Sequence, residues 1–481
     1  MGLLEGFLEA VSSSNIFAPE RNPANVVCLK PFAIVVGIVF FAAATVAQSD
    51  SKATTIDAYL RPYVQSQNFS GVVLVEKSGK VIFEKAYGFA DRDQHLRNKP
   101  TTRFHIASLS MQFTAAAILR LVDQGSVTLD EHASGFVRGV EGADKITIKH
   151  LITERSGLPD INALPNYDDV VLQQHQTPAT LIRAIEGRPL LFEPGSKFLH
   201  EEHSAYNLLA LAVEKKTGLP FAVALQKLVF RPLGLTASGV DDDSVTNAKY
   251  MAKGYEPEAA YELKSAKAIH WSAKAGNASV YTTANDEARW VQALFSGHFL
   301  GAASRDAVLD TSLRVGYGWF KSDLKRFGKT AYYMNGRSPG FSSFVLYLPD
   351  TQITVILLGN VYSSATTPMG YDIAALLLGL PYEKLHFMDP APNAAQLKAC
   401  TGTFQFGPEF YQADAKVTLI ANDRGLSLRW PSGDLSALLP LERDRFVDRS
   451  YWQDVRIERD SAGNPIALVY DRFRGTASSP H

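Results

Sequence analysis

Two pairs of strand-like segments, one early and one late in the chain, constrain the fold more than any other feature of the sequence. Residues 71–75 (GVVLV) and 81–85 (VIFEK) are rich in β-branched and apolar residues and enclose a Gly-containing turn, as the strands of a hairpin do. Residues 341–347 and 353–358 form a second such pair. A chain that opens and closes with strands and has helices between them predicts an α+β or α/β domain closed by its late strands.

Two apolar segments mark the helical middle of the chain. Across residues 112–124 apolar residues recur three and four positions apart, and Gly125 stands where such a helix ends. Residues 205–216 form a second apolar helix before Gly218. Residues 50–56, ahead of the first strand, are interpreted as a linker.

A change in composition at residues 389–392 (DPAP) indicates a second domain. Downstream, short segments alternate apolar and polar residues between turns rich in Asn, Asp and Gly, which predicts a small antiparallel β domain resembling a barrel. These segments are 417–420, 426–430 and 455–458. The predicted organisation is a targeting segment and linker at 1–50, a main domain at 51–388 and the β domain at 389–481.

The N-terminal region has the features of an export signal. Lys30 precedes an uncharged apolar run at residues 31–47, whose small-residue end resembles a signal-peptide cleavage site. An uncleaved membrane anchor is the alternative, although the run is at the short limit for spanning a bilayer. Either alternative predicts that the rest of the chain is exported, to the periplasm or the extracellular space.

Charge and cysteine content exclude several classes of function. The 48 Lys and Arg residues nearly balance the 49 Asp and Glu residues, and no basic run is present, so we expect no nucleic-acid partner. Cys28 and Cys400 belong to no CxxC motif or Cys/His cluster, which argues against a structural zinc site. Cleavage after residue 47 would leave Cys400 without an intrachain partner.

Ser108 opens the first apolar helix, and Met111 follows it by three positions. The helix dipole would favour a developing alkoxide on a serine at this place. A residue three positions on shares the helix face, so a lysine there could accept the serine proton, whereas the thioether of Met111 cannot. A serine here is also typical of a helix N-cap, so Ser108 or Ser110 alone does not identify a nucleophile.

Segments elsewhere in the chain extend this pattern, and together they resemble the serine β-lactamase-related family. They are FHIASLS (104–110), ITIKHLIT (146–153), SGLPD (156–160), EPGSKF (193–198), YNLL (206–209), PLGL (232–235), GNASVYTTAND (276–286), YGW (317–319) and NGRSPGF (335–341). The family includes class C-type β-lactamases, D-alanyl-D-alanine peptidases and esterases. The resemblance implies a β-lactamase/penicillin-binding-protein-like domain, with an antiparallel sheet flanked by helices. It also implies an acyl ligand: a peptidoglycan peptide, a β-lactam or an ester.

In that family three motifs meet in one cleft: Ser-x-x-Lys, Tyr-x-Asn and a Lys- or His-x-Gly strand. This chain departs from all three. Met111 stands at the lysine position, and counting back from Tyr206 places an acidic and histidine-containing segment at Tyr-x-Asn, with one extra residue upstream. The residues at the second motif are Glu201, Glu202 and His203, and those at the strand motif are Met334, Asn335 and Gly336, followed by Gly340.

Two interpretations of these departures concern acyl chemistry. In the first the protein is a pseudoenzyme whose cleft binds an acyl ligand, with methionines filling the space of lost polar groups. In the second Ser108 remains the nucleophile and His203, Glu202 or Glu201 replaces the base. The oxyanion hole would then combine the Ser108 N–H with one from residues 336–341. Neither interpretation needs a cofactor.

A third interpretation is a soft-metal site. Met111, Met334 and His203, with His200 as a further candidate, would offer thioether and imidazole ligands of the kind that suits copper(I). His105, beside the start of the helix, is expected to be structural.

Overall fold

The computed structural model describes residues 52–200, 202–243, 250–324, 326–388 and 391–478. The signal or anchor predicted within residues 1–50 and the candidate Glu201 lie outside these residues. None of the helices in the described ranges is long and apolar enough to cross a membrane.

A seven-stranded antiparallel sheet is the centre of the main domain. The strands of this domain are β1 (Gly71–Lys77), β2 (Lys80–Tyr87), β3 (Phe89–Asp91), β4 (Leu96–Arg97), β5 (Phe104–His105), β6 (Gly239–Val240), β7 (Tyr255–Ala259), β8 (Glu262–Ser265), β9 (Val280–Thr282), β10 (Val315–Gly316), β11 (Trp319–Leu324), β12 (Lys329–Ser338), β13 (Phe341–Leu348) and β14 (Ile353–Gly359). The order in the large sheet is β10-β11-β12-β13-β14-β1-β2. Gly71 in β1 pairs with Gly359 in β14, so the early and late strands join as the sequence predicts.

Helices cover both faces of the large sheet. They are α1 (52–65), α2 (Ser110–Asp123), α3 (Ile148–Ile152), α4 (Pro178–Arg183), α5 (His203–Thr217), α6 (Phe221–Leu225), α7 (Ala284–Ser296), α8 (Ala302–Leu309) and α9 (Thr366–Leu378). Val72 and Leu74 of β1 belong to the core on the α2 side, whereas Val73 and Val75 belong to the core that α1 and α9 cover. Because successive strand residues point to opposite faces, burial on both faces explains the unbroken apolar run of β1.

The interpretation of residues 50–56 as a linker is wrong for the part that the structure describes. Helix α1 already begins at residue 52, and its Ile56, Tyr59, Leu60 and Tyr63 are buried against the sheet. These residues are spaced three and four apart, so the helix is held by its apolar face rather than by the polar residues at its start.

The second domain is a closed antiparallel barrel, which confirms the predicted β domain. A short helix, α10 (Ala394–Lys398), precedes strands β15 (Gly402–Gln405), β16 (Lys416–Asn422), β17 (Gly425–Arg429), β18 (Leu435–Glu442), β19 (Arg445–Asp448), β20 (Asp454–Arg459), β21 (Pro465–Tyr470) and β22 (Phe473–Ala477). The barrel core is filled by large side chains that include Phe404, Phe410, Trp430 and Tyr470. Phe406 and Phe410 stack with ring centroids 4.0 Å apart.

A buried arginine joins the barrel to the main domain. Arg449 follows β19, and its side chain enters the main domain, where it is fully buried. Its guanidinium donates to neutral oxygen atoms: Asn68 Oδ1 at 2.9 Å, the carbonyls of Ser66 and Gln67 at 3.2 and 3.1 Å, the carbonyl of Glu262 at 2.8 Å, and the carbonyl of Ala259. Burial lowers the pKa of Arg449 to about 10. A second arginine, Arg337 of β12, donates to the barrel carbonyl of Ser450 at 2.8 Å.

Candidate functional site

Ser108 lies in a tight turn immediately before α2. Residues Ala107–Leu109 form a 3-10 helix that leads directly into α2, so Ser108 occupies the helix entrance that the sequence predicts. Ala107 has a φ of +50°, which is unfavourable for a residue with a Cβ. Strain of this kind persists where the surroundings fix the backbone, and it is concentrated at functional sites.

Hydrogen bonds hold this turn from two sides. On one side the Ile106 N–H donates to the carbonyl of Val280 at 3.0 Å, and Val280 N–H donates to Ser110 Oγ at the same distance. On the other side Ser343 Oγ donates to the Ile106 carbonyl at 2.6 Å. Ser110 therefore anchors β9, and Ser108 is the serine that remains for chemistry.

Gly336 brings β12 against the backbone of Ser108. A Cβ atom at this position would lie 2.8 Å from Ser108 N and 2.7 Å from the Ile106 carbonyl oxygen, closer than real Cβ contacts. Strand β11 pairs with β12 as far as Tyr333. From residue 334 onward, the side of β12 that faces away from β13 has no partner in β11, and this edge lies beside Ser108. Backbone N–H groups of this edge and of Ser108 are the elements from which an oxyanion hole is built.

The other strand-motif residues are distributed differently. Asn335 lies on the opposite face of β12 from Gly336, since side chains alternate along a strand. Gly340, with φ of +80°, lies in the turn between β12 and β13, where a Cβ would come 2.4 Å from Cα of Gly254. The structure therefore places Gly336 beside Ser108 and Gly340 at a turn that packs against a neighbouring loop.

Met111 and Met334 are both part of the apolar core on the α2 side of the sheet. Met111 is 0% exposed and Met334 is 3% exposed. A thioether is only a weak hydrogen-bond acceptor, so neither side chain can carry the serine proton. The placement of these two methionines on the wall of a ligand cleft stays a prediction.

Glu202 is buried and is used to hold a loop. Its carboxylate accepts the N–H of Ser156 at 3.0 Å and the N–H of Gly157 at 2.7 Å. Burial raises the pKa of Glu202 to about 8, although the two N–H groups act in the opposite direction. Both carboxylate oxygens are therefore committed to the backbone of residues 156–157.

His203 and Ser204, the first two residues of α5, hold the same loop as Glu202. His203 Nδ1 lies 3.2 Å from Asp160 Oδ1, and Ser204 Oγ donates to the Pro159 carbonyl at 2.7 Å and accepts Ile161 N–H at 2.9 Å. Three consecutive side chains thus fasten residues 156–161 to the start of α5. We call Glu202, His203 and Ser204 the α5 clamp.

The remaining candidate histidines contact aromatic rings. The ring of His200 lies 5.2 Å from that of Phe320. His105 stacks on Trp271 at 3.7 Å, and its Nε2 lies 2.9 Å from Asp241 Oδ2. Burial lowers the pKa of His105. Within the described ranges, no group of three or more His, Cys, Asp or Glu residues is placed to hold a metal ion, and the Met/His copper site stays a prediction.

Sequence reasoning missed a buried polar network directly behind Ser108. Gln112 in the first turn of α2 donates from Nε2 to Glu287 Oε1 at 2.6 Å and accepts from Trp290 Nε1 at 2.9 Å. Burial raises the pKa of Glu287 to about 8. The network fixes the first turn of α2 against α7. In the sequence, Glu287 stands among the apolar residues on the buried side of α7, and this charged residue is the pattern from which a buried partner could have been predicted.

The Ser108 turn and the β12 edge lie side by side, and comparison with known proteins identifies the family of the chain. Residues 56–378 match the beta-lactamase family. The chain belongs to this family. Penicillin-binding protein 4* of Bacillus subtilis (strain 168) is 24% identical over 340 residues, which cover 66% of this chain and 74% of that protein.

Solved structures of the family share the fold. A penicillin-binding protein from Bacillus halodurans has a TM-score of 0.59 and 25% identity, covering 67% of this chain and 98% of its own. The octameric penicillin-binding protein homologue from Pyrococcus abyssi has a TM-score of 0.62 and 20% identity, covering 88% of this chain and 99% of its own. The second likeness extends beyond the main domain into the barrel.

Proposed function

We propose that the Ser108 site binds acyl compounds of the penicillin or peptidoglycan-peptide type and does not turn them over by the usual route of the family. The observation that carries this proposal is the α5 clamp. Both carboxylate oxygens of Glu202 accept backbone N–H groups of residues 156 and 157, and the buried thioether of Met111 cannot take a proton from Ser108. His203 contacts Asp160 through Nδ1, and a role for His203 as the base is the second candidate below.

The backbone geometry beside Ser108 supports binding of a carbonyl group. Ala107 in the Ser108 turn has a positive φ, and the absence of a Cβ at Gly336 lets β12 lie against Ser108 N. Backbone donors of this kind bind a carbonyl oxygen whether or not a bond to the serine follows. Proton transfer by a positioned acid or base contributes about 10²–10⁴-fold to a rate, so its loss leaves binding while catalysis falls.

The test separates binding from acylation with a fluorescent penicillin. Fluorescence polarisation measures reversible binding, and a denaturing gel measures covalent labelling. We expect a saturable rise in polarisation without a labelled band. A band that disappears in Ser108→Ala, but persists in the control Ser312→Ala at an exposed serine, would contradict the loss of catalysis. Absence of both signals, for the penicillin and for a D-Ala-D-Ala peptide, would contradict the choice of ligand.

One observation favours a second candidate, an active serine hydrolase. An aspartate bonded to Nδ1 of a histidine is the arrangement that orients a general base, and Asp160 bonds His203 in this way. In this alternative Ser108 attacks an ester or amide and His203 accepts its proton. A panel of activated esters tests it: hydrolysis lost in Ser108→Ala and His203→Ala, and reduced in Asp160→Asn, would support the hydrolase, and no hydrolysis above buffer would exclude it.

We also propose that the protein is exported. The proposal rests on the apolar run at residues 31–47, which follows Lys30 and precedes a polar stretch. Cell fractionation with an N-terminal truncation to residue 48 tests it. Equal distribution of the full-length and truncated chains would refute an export role for this segment.

A further inference from the structure

A cavity of about 250 Å³ lies at the far end of α2 from Ser108. Arg120, Lys216 and Lys227 line it, from the ends of α2 and α5 and from the helical turn after α6. Ten residues of helix separate Arg120 from Ser110, which corresponds to about 15 Å along the axis. The cavity is therefore separate from the Ser108 site.

The charge of this cavity is of one sign. None of its eleven lining residues is an aspartate or glutamate. Lys216 Nζ pairs with Glu131 Oε1 at 2.7 Å, and Glu131 does not line the cavity, whereas Arg120 and Lys227 have no ion pair among the described residues. The guanidinium of Arg120 also packs over the Phe299 ring, 5.3 Å from its centroid. The cavity is therefore lined by cations from different elements and by no acidic side chain.

The helix dipole accounts for only part of this arrangement of cations. A cation in the last turn of a helix offsets the helix dipole, and this explains Arg120 and Lys216 in part. The carbonyls at the end of α2 are already bonded, since the N–H groups of residues 124–126 donate to Arg120, Val122 and Leu121. Arg120 instead donates to the Phe299 carbonyl at 3.2 Å, and its Nε is buried without a hydrogen-bond partner.

The rest of the lining is mixed. Leu121, Leu219 and Leu228 contribute apolar surface, and Gln124 and Ser126 contribute polar groups. A volume of this size is slightly below that of pockets for drug-sized ligands. The cavity thus combines a charged end, polar side chains and an apolar wall around a small space.

We propose that this cavity binds a small organic anion, a phosphate or carboxylate group attached to a compact apolar body. The oxyanion would accept charge-assisted hydrogen bonds from Arg120 and Lys227, and the apolar body would contact the leucine side chains. The site is independent of acyl binding at Ser108.

Isothermal titration with phenyl phosphate and benzoate, at constant ionic strength and with benzyl alcohol as the neutral analogue, tests the proposal. We expect saturable binding of at least one of the two anions and no binding of the alcohol. Lys227→Met should weaken binding about tenfold or more, because it removes one charge-assisted hydrogen bond. Lys227 is exposed, so this variant should fold.

The matched control is Lys215→Met, an exposed lysine on the same helix end as Lys216 that does not line the cavity. Its affinity should equal that of the unmodified protein. Equal affinity of Lys227→Met and the unmodified protein would overturn the proposal, because the anion would then bind elsewhere, including at Ser108. Equal binding of the alcohol, or no binding of either anion, would overturn it as well.

Discussion

Replacement of Arg449 by methionine should loosen the barrel from the main domain. Arg449 is fully buried and donates to five neutral oxygen atoms in three segments of the main domain, residues 66–68, Ala259 and Glu262. Methionine keeps most of the aliphatic length but leaves these oxygens without their donor.

Two opposing effects determine the size of the change. Hydrogen bonds from a charged group contribute about 1.5–3 kcal/mol each, so five such bonds would suggest a large loss. Burial of the cation costs several kcal/mol, which methionine does not incur. Each neutral oxygen left buried without a donor costs about 1–3 kcal/mol. Set against the relieved burial of the cation, we expect a net loss on the order of 3 kcal/mol.

Urea unfolding and limited proteolysis together measure this effect. Because a two-domain chain need not unfold in one step, the probe should report the junction itself. We expect protease to release the barrel of Arg449→Met at a lower urea concentration than it releases the barrel of the unmodified protein. Arg474→Met is the control, because Arg474 is half exposed and pairs with Glu458, another surface residue of the barrel domain. Release of Arg449→Met at the same urea concentration as the control would refute the role of the buried arginine.

Three further predictions concern the surroundings of Ser108. Because burial raises the pKa of Glu287 to about 8 from 4.5, the folded protein holds a proton that the unfolded chain releases, so stability falls as pH rises between these values. Glu287→Gln should remove this pH dependence. Measured by urea unfolding, the free energy of unfolding of the unmodified protein minus that of the variant should fall by about 2–3 kcal/mol between pH 5.5 and 7.5. An unchanged difference would refute it. Gly336→Ala should weaken fluorescent-penicillin binding at least tenfold, because its Cβ would lie 2.8 Å from Ser108 N; unchanged polarisation would contradict this. Met111→Lys should lower the thermal midpoint and restore little covalent labelling, whereas labelling of most of the protein would show that one residue limits catalysis.

The sequence reveals the parts of the fold that short-range patterns determine. The run 71–75, the strands at 341–358 and the helices α2 and α5 were predicted because their periodicity reflects one or two buried faces. The observed elements extend beyond the predicted ones by one or two residues at several ends; α5, for example, begins at His203 instead of residue 205. Strands β10 and β11 were not predicted, and β12 was expected through the strand motif at residues 334–336 that the family resemblance implies.

The site was less accessible because its contacts join distant residues. His203 meets Asp160 across 43 positions, and Gln112 meets Glu287 across 175. No local pattern distinguishes a buried carboxylate with such a partner from a solvated one. The sequence therefore names Ser108, Met111 and Gly336 as candidates but cannot state what Glu202 and His203 contact.

The α5 clamp links the position of a loop to the identity of a motif residue. Each of its three side chains contributes to the position of residues 156–161. Of the three, His203 stands where Tyr-x-Asn specifies the asparagine, so restoring the motif would remove the His203–Asp160 contact. Neighbouring substitutions of this kind have effects that depend on one another. Under the proposal that catalysis is lost, a restored motif would therefore need a new support for residues 156–161, so the chemistry of the site and the position of this loop are coupled through one side chain.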